Sequence, residues 1–187
     1  MIDRAEVAGP GFMNFTLSAN WVTETVKNAI EKGDDYGRSN IGGGRRIQVE
    51  FVSANPTGPL HMGHGRGAAV GDITASLLDF AGYNVEREYY INDAGLQMEL
   101  LGKSAQARYF EALGRAEEAP MPEDGYHGAY MSDIAKSYVE KYGDSLAQKP
   151  LEETLPFFSE ETGRLVLELI KKDLEDFGVK FDVWFSE

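Results

Sequence analysis

His61 and His64 stand three residues apart in the run Ser53-Ala-Asn-Pro-Thr-Gly-Pro-Leu-His-Met-Gly-His-Gly-Arg-Gly67, and they are two of only three histidines in the chain. Ile47, Val49 and Phe51 alternate with Gln48 and Glu50 just before this run, which predicts a strand. A helical pattern follows from about Gly63 to Ala81. Three-residue spacing on the first turn of a helix puts both rings on one side. The free backbone N–H groups and positive dipole end of that turn face the same way. The combination suits an anion, above all a phosphate. Neutral imidazoles add hydrogen-bond donors that strengthen as charge grows on a transferring group.

The flanks shape that turn. Pro56 and Pro59 hold the approach extended, while Gly63 and Gly65 remove side chains where a base or phosphate must come close. Other chemistries fit less well. Two histidines need a further ligand to hold a metal, and the nearest acid, Asp72, is about two turns along. Gly71 falls one residue too late after Gly65 and Gly67 for a dinucleotide fingerprint. Gly102-Lys-Ser104 resembles the end of a phosphate loop, but Gln97 stands where its first glycine belongs, so a mid-helix position is expected. By themselves the histidines are also compatible with a bland surface pair, Glu50 with a solvated strand residue, and Asn55 with a turn former before Pro56.

The elements that must position this run read as α/β. A second strand is expected over Val85–Ile91 and a helix from near Leu96 to Gly114. Strand, helix and strand around a Gly-rich first turn make a βαβ unit with parallel strands. Ligands of such sheets sit at the carboxyl ends of the strands, where both the motif run and Asn92-Asp93 fall. Asn92 and Asp93 also read as a turn and helix cap. The helix after the motif is expected to bury Val70, Thr74, Leu77, Leu78 and Ala81.

Upstream, Phe12–Leu17 reads as a lone strand after a Gly-Pro-Gly turn, with its partners expected before Met1. A helix is expected over 20–32, burying Val22, Val26, Ala29 and Ile30, and a Gly-rich linker over 33–44. Downstream, Tyr130, Ile134, Tyr138 and Tyr142 mark a helix. Pro150 and Pro156 are expected to break the next stretch, so that a helix starts at a Ser159 cap and runs to Phe177. Val179, Phe181, Val183 and Phe185 alternate as a final strand with no partner in sight, so the chain reads as a piece cut at both ends.

Composition narrows the class. Net charge is −13, with the acid excess steeper in the second half. That argues against nucleic-acid contact by this segment alone, since phosphate contacts favour clustered Lys and Arg. There is no cysteine, which excludes disulfides and thiolate metal sites. No membrane span and no signal peptide are read, and a cytoplasmic location is expected.

The stretch Val49–Asp72 resembles the signature of class I aminoacyl-tRNA synthetases, more closely the bacterial arginyl type. Tyr89-Tyr-Ile-Asn-Asp-Ala-Gly95 is similar to a second stretch of that family, and Val7–Ser18 to the end of its additional N-terminal domain. The resemblance implies a Rossmann-like parallel sheet with a mainly helical insertion. It divides the chain into the end of the additional domain (1–19), a helix and linker (20–45), the first half of the nucleotide-binding catalytic domain (46–114) and part of the connective insertion (115–187). It implies an ATP-dependent ligase that forms arginyl-adenylate and passes arginine to tRNA, with Mg2+ accompanying ATP, in a monomer. His61 and His64 match the catalytic, ATP-binding pair. Gly63 and Gly65 match positions beside the adenosine. Glu50, Ser53 and Asn55 match the arginine side. Met62 replaces the commoner aliphatic residue of the His-x-Gly-His box, and no Lys-Met-Ser-Lys-Ser-like run exists in these residues. The chain alone is therefore expected to be inactive. Two alternatives stay open: another His-x-Gly-His nucleotidyltransferase, and a non-catalytic nucleotide-binding module.

Overall fold

The structure, a computed structural model, describes residues 2–187. Its sheet has three parallel strands: β3 (Arg46–Glu50), β4 (Asn84–Ile91) and β5 (Val183–Ser186), with β4 in the centre. Earlier in the chain come β1 (Ile2–Ala8), β2 (Phe12–Leu17) and α1 (Asn20–Lys32). Helix α2 (Met62–Phe80) joins β3 to β4, completing the expected βαβ unit. The long connection from β4 to β5 carries α3 (Leu96–Ala112), α4 (Ala129–Tyr142) and α5 (Leu151–Asp176).

The final strand therefore has a partner, contrary to the sequence expectation. Val183 pairs with Glu88 and Ser186 with Ile91. The strand is also shorter than its alternation suggests. Asp182 stands just before Val183, where its carboxylate accepts from the Arg87 amide at 2.8 Å and its own amide donates to the Arg87 carbonyl at 2.9 Å. Phe181, just before, packs its ring against Phe51, Tyr89 and Trp184. Its apolar character serves this aromatic cluster rather than a ladder.

Helix α2 is turned away from its expected face. The buried residues are Ala68, Gly71 and Ala75, while Val70 is 63% and Leu77 65% exposed. Thr74 is exposed too, and its hydroxyl donates back to the Val70 carbonyl at 2.7 Å. Small residues let the helix lie close on the sheet: the Phe51 ring fills the space over Gly71, where an added Cβ would be 2.2 Å from Phe51 Cγ. Hydrophobic periodicity identified a helix but not which stripe faces inward.

Pro156 does not break α5. It lies in the second turn on an exposed edge, so only one backbone bond, to the exposed Glu152, is lost. Pro150 holds the N-cap position and Ser159 is interior. Helix α3 crosses α5 closely at Gly102, where an added Cβ would meet Ser159 Oγ. The core spans both sheet and helices, with Tyr89, Leu101, Tyr109, Tyr138, Phe158 and Ile170 fully buried or nearly so.

At the other end, β2 pairs with β1 in an antiparallel hairpin around Gly9 and Gly11, both at positive φ. The partner lies downstream of Met1, not before it. Asp3, Arg4 and Glu6 disguise β1 as a polar segment. Nothing in α1 is buried, so Val22, Val26 and Ile30 face solvent rather than a core. The Gly-rich segment is tied to the end of α2 through Ser39 N to Phe80 O, Gly42 N to Ala81 O and Gly44 N to Gly82 O.

Candidate active site

The loop from β3 to α2 leaves the sheet through an unusual turn. Val52 and Ser53 have φ of +65° and +41°, the only non-glycine residues at positive φ among those described. The Ser53 amide donates to the Phe51 carbonyl at 2.9 Å, closing a γ-turn around Val52. For a β-branched residue this is strained backbone, of a kind that concentrates at functional sites. Neighbours on β4 hold it. The fully buried Tyr89 hydroxyl accepts from the Ala54 amide at 3.0 Å and donates to the Ala54 carbonyl at 2.8 Å. The Tyr90 amide donates to Ser53 Oγ at 3.2 Å, and Ser53 Oγ donates to Glu50 Oε1 at 2.7 Å.

Further along, His61 is the N-cap of α2 with an extended backbone. Its Nδ1 accepts from the Gly63 amide at 3.1 Å. Its own amide donates to His64 Nδ1 at 3.3 Å. This is a capping box built from two imidazoles. Because each Nδ1 is occupied as an acceptor, the proton of each neutral ring belongs on Nε2, leaving two N–H donors. The rings stack with centroids 3.8 Å apart and planes 19° apart. Burial, and secondarily the neighbouring His61, holds the His64 pKa below its usual value. His64 therefore stays neutral, and its tautomer intact, near pH 7.

A cleft of about 520 Å³ opens in front of the pair. It brings together Ser53, Asn55, His61 and His64. Glu50 reaches the group only through its bond with Ser53. Gly63 and Gly65 do not line the cleft. Gly63 instead leaves room for the capping ring, since an added Cβ would stand 2.8 Å from His61 Cε1, whereas Gly65 faces open space. Asp93 is not a helix cap: Gly95 holds that position, and Asp93 accepts from Ser186 Oγ at 2.7 Å. The Tyr90 phenol has a raised pKa, first through burial and then through Glu187, Glu50 and Asp93. Carboxylates thus converge where the three strands end.

Three lining residues escaped sequence reasoning: Gln97, Tyr126 and Tyr130. Gln97 Oε1 accepts from Asn55 Nδ2 at 2.5 Å. Tyr130, from α4, donates to the Thr57 carbonyl at 2.6 Å, and burial pushes its phenol up to about 12. The local sequence shows Tyr130 only as one member of a helical stripe. Asp72 pairs with Arg87 at 3.4 Å. Among the described residues, no group of three His, Asp or Glu side chains is placed to hold a metal.

A family described as tRNA synthetases class I (R), catalytic domain, matches residues 25–180. The chain belongs to this family. Arginine–tRNA ligases share its sequence throughout: that of Bacillus subtilis is 53% identical over 186 residues, and that of Geobacter sp. strain M21 54% over 187. Both alignments take in all of this chain and 33% of the relative, so the chain spans about a third of the curated relatives' length. A Campylobacter jejuni crystal structure assigned to arginyl-tRNA synthetase superposes with a TM-score of 0.80 at 37% identity, covering 91% of this chain and 37% of that one. A Plasmodium falciparum arginyl-tRNA synthetase, 17% identical with a TM-score of 0.53, shares the fold. Membership of this class I family agrees with the α/β sheet and does not favour an unrelated nucleotidyltransferase or a non-catalytic module.

Proposed function

We propose that the chain forms the ATP- and arginine-binding part of an arginine–tRNA ligase. The observation that carries this reading is the stacked His61–His64 pair, with both Nε2 donors free at the start of α2, in a chain of this family. In the proposed reaction an arginine carboxylate oxygen attacks the α-phosphorus of ATP. The bond to the bridging oxygen breaks, pyrophosphate leaves, and arginyl-adenylate forms. The tRNA 3′ hydroxyl then attacks the arginyl carbonyl and AMP leaves. His61 and His64 donate from Nε2 to phosphate oxygens, more strongly as charge builds in the transition state. Gly63 and Gly65 belong to the adenosine side.

The amino-acid side falls to Glu50, Ser53 and Asn55. Support comes from the convergence of Glu50 and Asp93 near Tyr90, a setting that favours a cationic amino acid. Among the described residues no cluster of three His, Asp or Glu side chains is arranged for a metal, and a Mg2+ accompanying ATP would be carried by its phosphates. The proposed setting is the cytoplasm; among the described residues no helix is long and apolar enough to cross a membrane. A monomer is the proposed state, checked by light scattering of the full-length protein. The 187 residues alone are inactive in this reading, since they lack the lysine-rich run expected to close over the phosphates.

The test is ATP–pyrophosphate exchange by the full-length protein with tRNA present, screened across amino acids. Exchange with arginine alone supports the proposal. Exchange with another amino acid, or none, refutes it.

A further inference from the structure

Asn55 lies 42 residues from Gln97 in sequence, yet their amides are bonded at 2.5 Å across the mouth of the cleft. Pro56 follows Asn55 directly, and a 2.8 Å bond from the Thr57 amide to the Asn55 carbonyl closes a second tight turn around it. The backbone of Asn55 is thereby fixed, but its amide can still rotate by half a turn. One orientation offers the ligand an acceptor and the other offers a donor. The two bear on specificity in opposite ways, because only the acceptor complements an ammonium or guanidinium group. Gln97 Oε1 takes the Asn55 Nδ2 donor and leaves Asn55 Oδ1 available to the cleft.

We infer that Gln97, on the first turn of α3, is a positioning residue that sets the Asn55 amide as an acceptor for the cationic amino-acid substrate. The inference rests on the arginine-activating reading above. Gln97 need not touch the substrate. It tells the loop after β3 which way Asn55 should face, and it ties that choice to the helix that follows β4.

The experiment compares Gln97→Met and Gln97→Glu in the full-length protein, each also in an Asn55→Ala background. Methionine keeps the volume but cannot accept from Asn55 in the same way. Glutamate accepts but cannot donate. Steady-state ATP–pyrophosphate exchange gives KM for arginine and for ATP separately. Gln97→Met should raise the arginine KM about 3- to 10-fold, the loss expected for one orienting hydrogen bond, with the ATP KM unchanged. Gln97→Glu should keep the arginine KM at or below the parent value. In the Asn55→Ala background Gln97→Met should add nothing further, because there is no amide left to orient. An unchanged arginine KM in Gln97→Met overturns the inference, as does a full effect in the Asn55→Ala background or an equal rise in both KM values. An arginine KM raised by Gln97→Glu shows that donation from Gln97 matters and also overturns it. Absence of arginine-dependent exchange in the unmutated protein sinks the underlying reading instead, so the two failures are distinct.

Discussion

The Tyr89 hydroxyl reads both polar groups of one residue, Ala54, accepting from its amide at 3.0 Å and donating to its carbonyl at 2.8 Å. One side chain on the central strand thus replaces the two bonds that a neighbouring strand would have made to the departing loop. This allows the chain to leave the sheet through the strained Val52-Ser53 turn without orphaning buried backbone.

Tyr89→Phe keeps the ring stack with Trp184 but strands both Ala54 groups. Buried unsatisfied groups cost about 1–3 kcal/mol each, so a loss of about 2 kcal/mol or more is expected in urea unfolding. A change below about 0.5 kcal/mol would show that water reaches Ala54. The same tyrosines set the alkaline limit. Burial pushes Tyr89 and Tyr138 up to about 12. A folded-state pKa raised above the unfolded value of about 10 gives stability that is full below pH 10 and fades as pH rises towards 12. Unfolding midpoints followed from pH 9 to 12 should fall in that window. Tyr138→Phe, which loses a 2.8 Å bond to Thr162, should flatten part of the fall.

Gly71 sets two opposing effects against each other. Alanine there gains about 1 kcal/mol of helix propensity. Its Cβ would, however, lie 2.2 Å from Phe51 Cγ, a ring wedged against Phe181 in the core. Overpacking costs about 1–3 kcal/mol and wins. Gly71→Ala should therefore lower the melting temperature, whereas Gly67→Ala, facing open space, should raise it slightly. Equal stabilisation by both would refute the close packing of α2 on the sheet.

How much of this was legible beforehand depended on sequence distance. The βαβ unit and the helix start at the histidines were readable because strand alternation, glycines and the His-x-Gly-His spacing all act within a few residues. The inward face of α2 was not, because the partner that selects it, Phe51, is chosen by shape and not by periodicity. Residue β-character in Ile2–Ala8 was hidden by three charges that a hairpin with both faces exposed tolerates. Tyr130 escaped because its bond to Thr57 spans 73 residues, and Gln97 because its bond to Asn55 spans 42. The packing of Gly63 under the capping ring was hidden for a related reason: that contact is visible only once His61 is known to fold back as a cap.

His64 performs two tasks with its two nitrogens, and substitution can separate them. Asparagine places an oxygen near the Nδ1 position and can still accept from the His61 amide, but it has no group where Nε2 stands. His64→Asn should retain the melting temperature and lose about 10²-fold or more in kcat of arginine activation, with a smaller change in KM for ATP. An effect on KM alone would reduce the pair to ground-state binding. Protonation should imitate the loss of the cap. The depressed His64 pKa means the neutral ring is favoured by the fold, so its contribution is present above the unfolded value of about 6.5 and is lost as pH falls below it. Parent stability should soften on the acid side of 6.5, and His64→Asn should lack that component.

Tyr130 supplies the remaining tie on the loop, and it comes from a different part of the fold. Its hydroxyl donates to the Thr57 carbonyl at 2.6 Å, and its ring closes on Gly58, where an added Cβ would be 3.3 Å from the hydroxyl. Thr57 and Gly58 precede the capping histidine by only a few residues, so freedom gained there is passed on to His61. Tyr130→Phe keeps the ring contact and removes only the bond, with a stability loss of about 1 kcal/mol expected. The larger consequence should be kinetic. A loop released from α4 samples more positions for His61, and kcat of arginine activation should drop about 3- to 10-fold, while the arginine KM stays near the parent value. Gly58→Ala presses on the same hydroxyl and should give a smaller drop that is not additive with Tyr130→Phe. Additive effects would show that Tyr130 and Gly58 act on the loop independently, and a silent Tyr130→Phe would show that α4 does not hold the phosphate-binding turn in place.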